Sequence, residues 1–370
     1  MHNYSNSDYQ LHLREQENKT IKQTLIVTGN GFDLQCGLKS SYYDFFSWCE
    51  LNIKGFKDLK NAKNSTFNSQ GLIQGAFENN PNLTVWDLYF MYKSTLTNNK
   101  WCDIEFEINE SIQSGFWNSI ISDINYFQEN GNWSYPDEEW FFAWMMNDRY
   151  YSNNNWMYLN SGFPTGMIKT VQVSSDDFHS KLLLELNIFE KRFSNYMEDE
   201  LKKNTDYHMN QSNLLNKLVQ STTNDDTYSI LTFNYTPYSS EYKYINIHGD
   251  LKSLIFGISN NNNKNSLAHI FTKSHRRMEE ELPILADFVS SKENTVVFYG
   301  VSFNNLDIDY YRMIIEQFGY DRLYFCYSDY GEINRKSEYE NAVKKLVEQL
   351  SIGDFYSLRE QGKIRIIKID

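Results

Sequence analysis

Paired cysteines are missing from this sequence. Its four cysteines, Cys36, Cys49, Cys102 and Cys326, form no CxxC pair, so no spacing signals a structural zinc or a disulfide framework. Positive charge is also short. The 35 Lys and Arg against 48 Asp and Glu leave a formal net charge of −13, which disfavours general attraction to phosphate backbones; nucleic acid is not an expected partner. Long apolar runs are absent too: none approaches the roughly 18 residues needed to cross a bilayer, and no apolar leader precedes Thr24. A cytoplasmic protein with no membrane partner is expected. No repeat of fixed period appears.

What is abundant is aromatic. With 27 Tyr, 25 Phe and 8 Trp in 370 residues, the chain can bury a large core, which argues against disorder despite its many Asn residues. The length predicts about two units, or one core with a large insertion.

After a polar stretch at 1–20, expected to be a flexible arm, the run TLIVTG reads as a strand buried on both faces, because such strands are continuously apolar. TYSILTFNY (227–235), NTVVFYGVSF (294–303), DRLYFCYS (321–328) and the shorter KIRIIKI (363–369) look the same. Helical periodicity separates several of them, as in 306–320 and 339–352, which predicts an α/β layered domain with a mainly parallel sheet. Between about 50 and 224 the pattern changes to apolar residues at three- and four-residue spacing, as in 101–127 and 176–201. The predicted organisation is therefore an α/β domain of 21–50 plus 225–370, interrupted by a mainly helical insertion at 51–224, with Asn- and Gly-rich loops at 61–71, 129–135 and 152–162.

The first strand is followed by Gly29, Asn30, Gly31, Phe32 and Asp33, and the spacing continues to Gly37. A Gly-x-Gly turn there lets backbone approach a phosphate or ribose, although tight strand-to-helix turns need glycine for steric reasons as well. Three more stretches fall at strand ends, where open α/β sheets bind ligands. TFNYT places Asn234 and Tyr235, INIHGD places His248, Gly249 and Asp250, and YGVSFNNLDIDYY places Gly300, Ser302, Asp307 and Asp309. Four such segments at one sheet edge are expected to converge.

GNGFDLQCGLKSSYYDF, WCDIEFEI, TFNYT, INIHGD with the following IFGI, and VVFYGVSFNNLDIDYY together resemble the AbiH abortive-infection proteins of bacteria. The ordered set spans most of the chain. It is also similar, remotely, to the Sir2 superfamily, in which a glycine turn, an Asn-bearing strand end, a His-Gly and a Gly-x-Ser line one NAD pocket. That resemblance implies a Sir2-like, Rossmann-like three-layer domain that binds NAD as substrate and, in the defence-associated branch, hydrolyses it. Asn234 and His248 match the catalytic positions. Gly29, Asn30, Gly31, Phe32, Asp33, Gly37, Tyr235, Gly300, Ser302 and Asp307 are the expected nucleotide-binding residues. A homo-oligomer and a phage-derived trigger or partner protein are implied, and no metal is expected. Three positions depart from the sirtuin pattern: Asp33 stands where a small hydroxyl residue is usual, Thr236 where Asp is frequent, and Lys39 where proline is. The zinc module is missing, which makes NAD cleavage more apt than protein deacetylation.

The chemistry suits these residue types. Nicotinamide leaves from a cationic ring nitrogen, so departure needs orientation and stabilisation of the developing oxocarbenium ribose, not an acid. An asparagine offers donor and acceptor to nicotinamide or water, and a histidine accepts a proton at neutral pH. Two other functions remain open: a sensor that binds NAD or an ADP-ribose derivative without turnover, and a metal-dependent phosphohydrolase or nuclease using Asp33, His248, Asp250 and Asp307. Plainer readings also stand: His248 as a satisfied core histidine, Asn234 as a turn cap, and Asp307 and Asp309 as helix-start charges. Glu105 and Asn109 share a helical face beside Asp103, and this face either is solvated or borders a pocket. FTKSHRR (271–277) reads as a solvated helix end.

Overall fold

The computed structural model describes residues 23–63, 70–80, 82–96, 103–131, 139–152, 172–223, 227–259, 266–285, 288, 294–303, 305–317, 320–329 and 335–369. The arm expected at 1–20 lies outside them. In chain order the elements are β1 Gln23–Thr28, α1 Asn30–Gln35, α2 Tyr42–Asn52, α3 Phe56–Lys63, α4 Gln70–Asn79, α5 Val85–Leu96, α6 Ile104–Gln113, α7 Phe116–Asn130 and α8 Trp140–Met146 with a π turn at Asn147–Tyr151. There follow α9 Ser175–Lys203, α10 Tyr207–Thr222, β2 Tyr228–Thr232, β3 Lys243–Asn246, α11 Lys273–Glu279, β4 Asn294–Tyr299, α12 Ile308–Gln317, β5 Arg322–Tyr327, α13 Lys336–Leu350, α14 Phe355–Glu360 and β6 Ile364–Lys368. No helix among the described residues is long and apolar enough to cross a membrane.

All six strands are parallel, in the order β3-β2-β1-β4-β5-β6. Leu25 and Val27 of β1 join one apolar core with Leu231, Val296, Phe298 and Phe325, closed by Tyr311 and Ile314 of α12 and Val343 and Val347 of α13. The alternate residues Thr24, Ile26 and Thr28 are equally buried on the opposite face. This double burial is why TLIVT carries β-branched and apolar residues on both faces instead of alternating with charged ones. Each fully buried Leu, Ile or Phe contributes roughly 1.5–3 kcal/mol, and truncating one to Ala costs about 2–5 kcal/mol once the cavity is counted. The architecture is the expected Rossmann-like three-layer α/β domain. Its strand order reverses at β1, so the connections leaving β1 and β4 diverge at their carboxyl ends, the place where such sheets take ligands.

The chain divides into two compact units. The described residues within 1–38, Asn204–Asp250 and Pro283–Asp370 form the α/β unit, and those within Lys39–Lys203 and Leu251–Leu282 form the helical one. In the helical unit α9 is the spine. Its Phe189, Phe193 and Tyr196 rings stand 5.5, 5.1 and 5.5 Å from Phe45, and Trp86 and Trp117 meet edge to face at 5.3 Å. Buried charges in this unit are paired, as burial demands. Arg192 meets Asp87 at 2.6 Å, Arg149 meets Glu185 at 2.6 Å, Lys273 meets Glu105 at 3.0 Å, and Arg276 grips Glu190.

The last two pairs explain why 251–282 belongs to the helical unit instead of the α/β domain. Glu190 also accepts the Phe256 N–H at 2.6 Å, and Glu105 the Gly257 N–H at 3.4 Å. Where a solvated helix end was expected at FTKSHRR, Lys273 is 2 % and Arg276 5 % exposed. Thr272 caps α11 through its hydroxyl, and Asp103 caps α6 by accepting the Phe106 N–H at 3.1 Å.

Candidate functional site

The four motif segments of the α/β unit are joined by hydrogen bonds. The turn after β1 lies backbone to backbone on the turn after β4: Gly29 N–H donates to Tyr299 O at 3.2 Å and Gly31 N–H to Gly300 O at 2.9 Å. A Cβ on Gly31 would lie 2.7 Å from Gly300 Cα, and one on Gly300, where φ is +69°, would lie 2.3 Å from Phe32 N. The glycines are therefore required for the two loops to touch, and the amides of Gly29 and Gly31 are spent on that contact. Phe32 N–H is likewise turned back onto Gly29 O at 2.8 Å. Gly37 (φ +84°) ends α1 in the left-handed conformation.

Asn234, just past β2, fastens the next loop. Its Nδ2 donates to Gly29 O at 3.0 Å, and Asn246 at the end of β3 donates to Asn234 O at 2.7 Å and Thr236 O at 3.1 Å. Two residues beyond Asn246, His248 is buried, its Nε2 3.3 Å from Asp307 Oδ1. The Phe233 and Tyr310 rings flank the imidazole at 5.5 and 5.4 Å. Two aromatic rings thus pack edge-on against the imidazole, and a carboxylate lies within ion-pair distance of its Nε2.

Beneath these loops lies a polar network centred on Asp33, which is 1 % exposed. Tyr207 donates to its Oδ1 at 2.8 Å and Thr236 to its Oδ2 at 2.9 Å. Burial pushes the Asp33 carboxyl up to about 6, against the pull of Tyr207, Thr236 and Asn234, whose hydrogen bonds favour the anion. The Tyr207 phenol is itself pushed well up by burial and by Asp33, so it remains the donor. Cys36, pushed up to about 12 by burial and then by Asp33, is not a nucleophile. Asp33 and Thr236 thus bond to each other. The carboxylate faces a tyrosine and a threonine inside the domain.

Of the remaining expected residues, Asn30 and Ser302 are exposed, Gly300 is half-buried, and Phe32 and Tyr235 are buried. Phe303, beside Ser302, holds φ +52°, a costly conformation for a bulky residue. Its ring is anchored between Phe298, Tyr311, Phe325 and Tyr339. Of the four residues considered as metal ligands, His248 and Asp307 meet, Asp33 is committed to Tyr207 and Thr236, and Asp250 is exposed. Asp309 lies 3.5 Å from Arg312 on its own helix, in keeping with a helix-start charge. Sequence reasoning did not find Tyr207, which carries no motif; Asn246 was visible within INIHGD, where asparagine directly before a histidine-bearing loop is the signal.

No curated protein matches the chain. The model of one family, described as bacteriophage abortive infection AbiH, matches residues 25–329, a span that takes in β1 through β5 and all four joined segments. The chain belongs to the AbiH family of bacteriophage abortive infection proteins.

Proposed function

We propose that this AbiH protein is an abortive-infection effector that hydrolyses NAD to ADP-ribose and nicotinamide when triggered. The observation that carries the reading is the His248–Asp307 pair, 3.3 Å apart, next to a loop tied through Asn234 to the glycine turn at the reversal of a parallel sheet. In the proposed reaction the bond between the ribose C1′ and the nicotinamide nitrogen breaks, and its electron pair neutralises the pyridinium. Water adds to C1′ and its proton passes to His248, whose orientation Asp307 holds. Asn234 positions the nicotinamide or the water. Ser302, Asn30 and Gly300, which reach the surface, are the groups on these loops best placed to meet the diphosphate and ribose. The trigger is a phage-derived component, and assembly into a homo-oligomer in the cytoplasm restrains the activity until then.

The test is NAD consumption by the purified protein, with nicotinamide and ADP-ribose separated, alongside His248→Ala, Asn234→Ala and Asp307→Asn proteins and a chelator. Turnover lost in His248→Ala and indifferent to chelation supports the hydrolase. Full activity in His248→Ala removes it from the mechanism, and loss on chelation supports a metal-dependent hydrolase instead. A second reading, a sensor that binds NAD or an ADP-ribose derivative, is favoured by the engagement of the Asn234 amide with Gly29 O; stabilisation by NAD with no turnover in the presence of phage lysate identifies it.

A further inference from the structure

The helical unit carries three metal-ligating side chains that the function above does not use, and all three reach solvent. His269 lies in a 3-10 turn at Ser266–Phe271, and His275 and Glu279 stand one helical turn apart on α11. His269 and Glu279 are exposed and the His275 side chain is 28 % exposed. The two imidazole centres are 5.0 Å apart with their planes at 84°. His275 Nδ1 is buried with no hydrogen-bond partner, so Nε2, 4.0 Å from Glu279 Oε1, is the nitrogen left to bind. Thr272, 3 % exposed, holds both histidines in place. Its hydroxyl donates to His269 O at 2.7 Å and accepts the His275 N–H at 3.3 Å. Behind it, Ile258 N–H donates to Phe271 O at 2.9 Å and Lys273 N–H to Ile258 O at 3.0 Å. The cations Lys273 and Arg276 are neutralised by Glu105 and Glu190. Beyond them stand Arg277 and three successive glutamates, Glu279, Glu280 and Glu281, a local balance that favours a cation.

We propose that His269 and His275, completed by Glu279, bind a divalent transition-metal ion of the zinc class. Two imidazoles bound end-on at about 2.0–2.1 Å across a tetrahedral angle have ring centres roughly 5 Å apart, which is the separation found here. A bare edge-to-face contact between rings has similar spacing; the carboxylate one turn along α11 is what makes the pair a ligand set. Neighbouring ligand atoms on a tetrahedral zinc stand about 3.3 Å apart, so the exposed Glu279 side chain closes the site by turning towards Nε2. Water takes the fourth position. Imidazole donors suit zinc, copper and nickel, whereas magnesium and calcium prefer oxygen alone. The bound ion clasps the 3-10 turn to α11 and so fastens the segment that carries Lys273 and Arg276. This site is independent of the hydrolase reading.

The experiment uses the full chain without a histidine tag, stripped of metal, and its His269→Gln, His275→Gln, Glu279→Gln and His248→Ala variants, each titrated with zinc and with magnesium. Calorimetry reads affinity and stoichiometry, and thermal unfolding reads stabilisation. The wild type is expected to take up a single zinc ion at this site with a rise in melting temperature, and to ignore magnesium. His269→Gln and His275→Gln are each expected to weaken zinc binding roughly tenfold or more, and Glu279→Gln by less. His248→Ala is expected to bind zinc as the wild type does. If His275→Gln fails to fold, His269→Gln at its exposed position carries the measurement. Absence of zinc binding to the wild type overturns the proposal, and so does equal affinity in the wild type and the histidine variants. Binding lost only in His248→Ala places the metal in the α/β unit and overturns it too. An equal response to magnesium marks the glutamates alone, with the same consequence.

Discussion

Replacing Asp33 by Asn isolates the electrostatics beneath the loops. Asp33 titrates near 6 in the folded protein and near 3.9 when unfolded. Between those values the folded state binds more protons than the unfolded one, so the stability owed to this group is fully present below about pH 4 and is lost as pH rises through 6. A shift of about 2 units at 1.36 kcal/mol each makes that loss roughly 3 kcal/mol in total, of which about 2 kcal/mol falls between pH 4 and 7.5. Asn keeps the shape and the acceptor for Tyr207, and Thr236 can turn its hydroxyl to accept from the new amide. The urea midpoints of both proteins, measured from pH 4 to 8, give a difference from which every other titrating group cancels. That difference is expected to grow in favour of Asp33→Asn by about 2 kcal/mol across the range, most steeply between about pH 4 and 6. A difference that stays flat, or grows in favour of the wild type, refutes the argument that burial outweighs the three hydrogen bonds.

Tyr207→Phe removes the 2.8 Å donor to Asp33; it is expected to cost about 1–3 kcal/mol at pH 7.5 and less at pH 4, read by the same urea midpoints. Gly31→Ala places a Cβ 2.7 Å from Gly300 Cα and is expected to cost about 1–3 kcal/mol with loss of any nucleotide-induced thermal shift. Gly75→Ala, inside α4 with nothing within 4 Å of the added carbon, is expected to gain about 0.5–1 kcal/mol in the same assay. Arg192→Met leaves the buried Asp87 carboxylate without its 2.6 Å partner and is expected to cost about 3–5 kcal/mol; adding Asp87→Leu to it recovers most of that loss.

The parallel sheet was legible because its central strands are buried on both faces: TLIVT, YSILT, NTVVFY and RLYFCY are dense in β-branched, aromatic and other apolar residues. β3, only four residues of KYIN, is too short to stand out as a run, and the motif that follows it was the stronger signal. The four strand-end segments were legible from their glycines and polar residues, and hydrogen bonds join them. What those glycines do was not, since steric contact between two turns and backbone approach to a ligand demand the same residue. The mutual bond of Asp33 and Thr236 was hidden by a separation of 203 residues. Lys273 and Arg276 read as surface charge because their partners, Glu105 and Glu190, lie 168 and 86 residues away.

The placement of β1 in the chain bears on how the protein is made. Thr28 pairs with Thr232 and Tyr299, so the first strand leaves the ribosome about 200 residues ahead of its earliest partner, roughly 10–40 s of synthesis. Throughout that interval most of the helical unit emerges as one contiguous stretch, while the turn bearing Gly29 and Gly31 has nothing to dock against. The loops carrying Asn234 and His248 arrive next, and Gly300, 271 residues behind Gly29, closes the assembly. A nascent chain is thus without the joined site until Gly300 has been made, and any activity housed there begins no earlier.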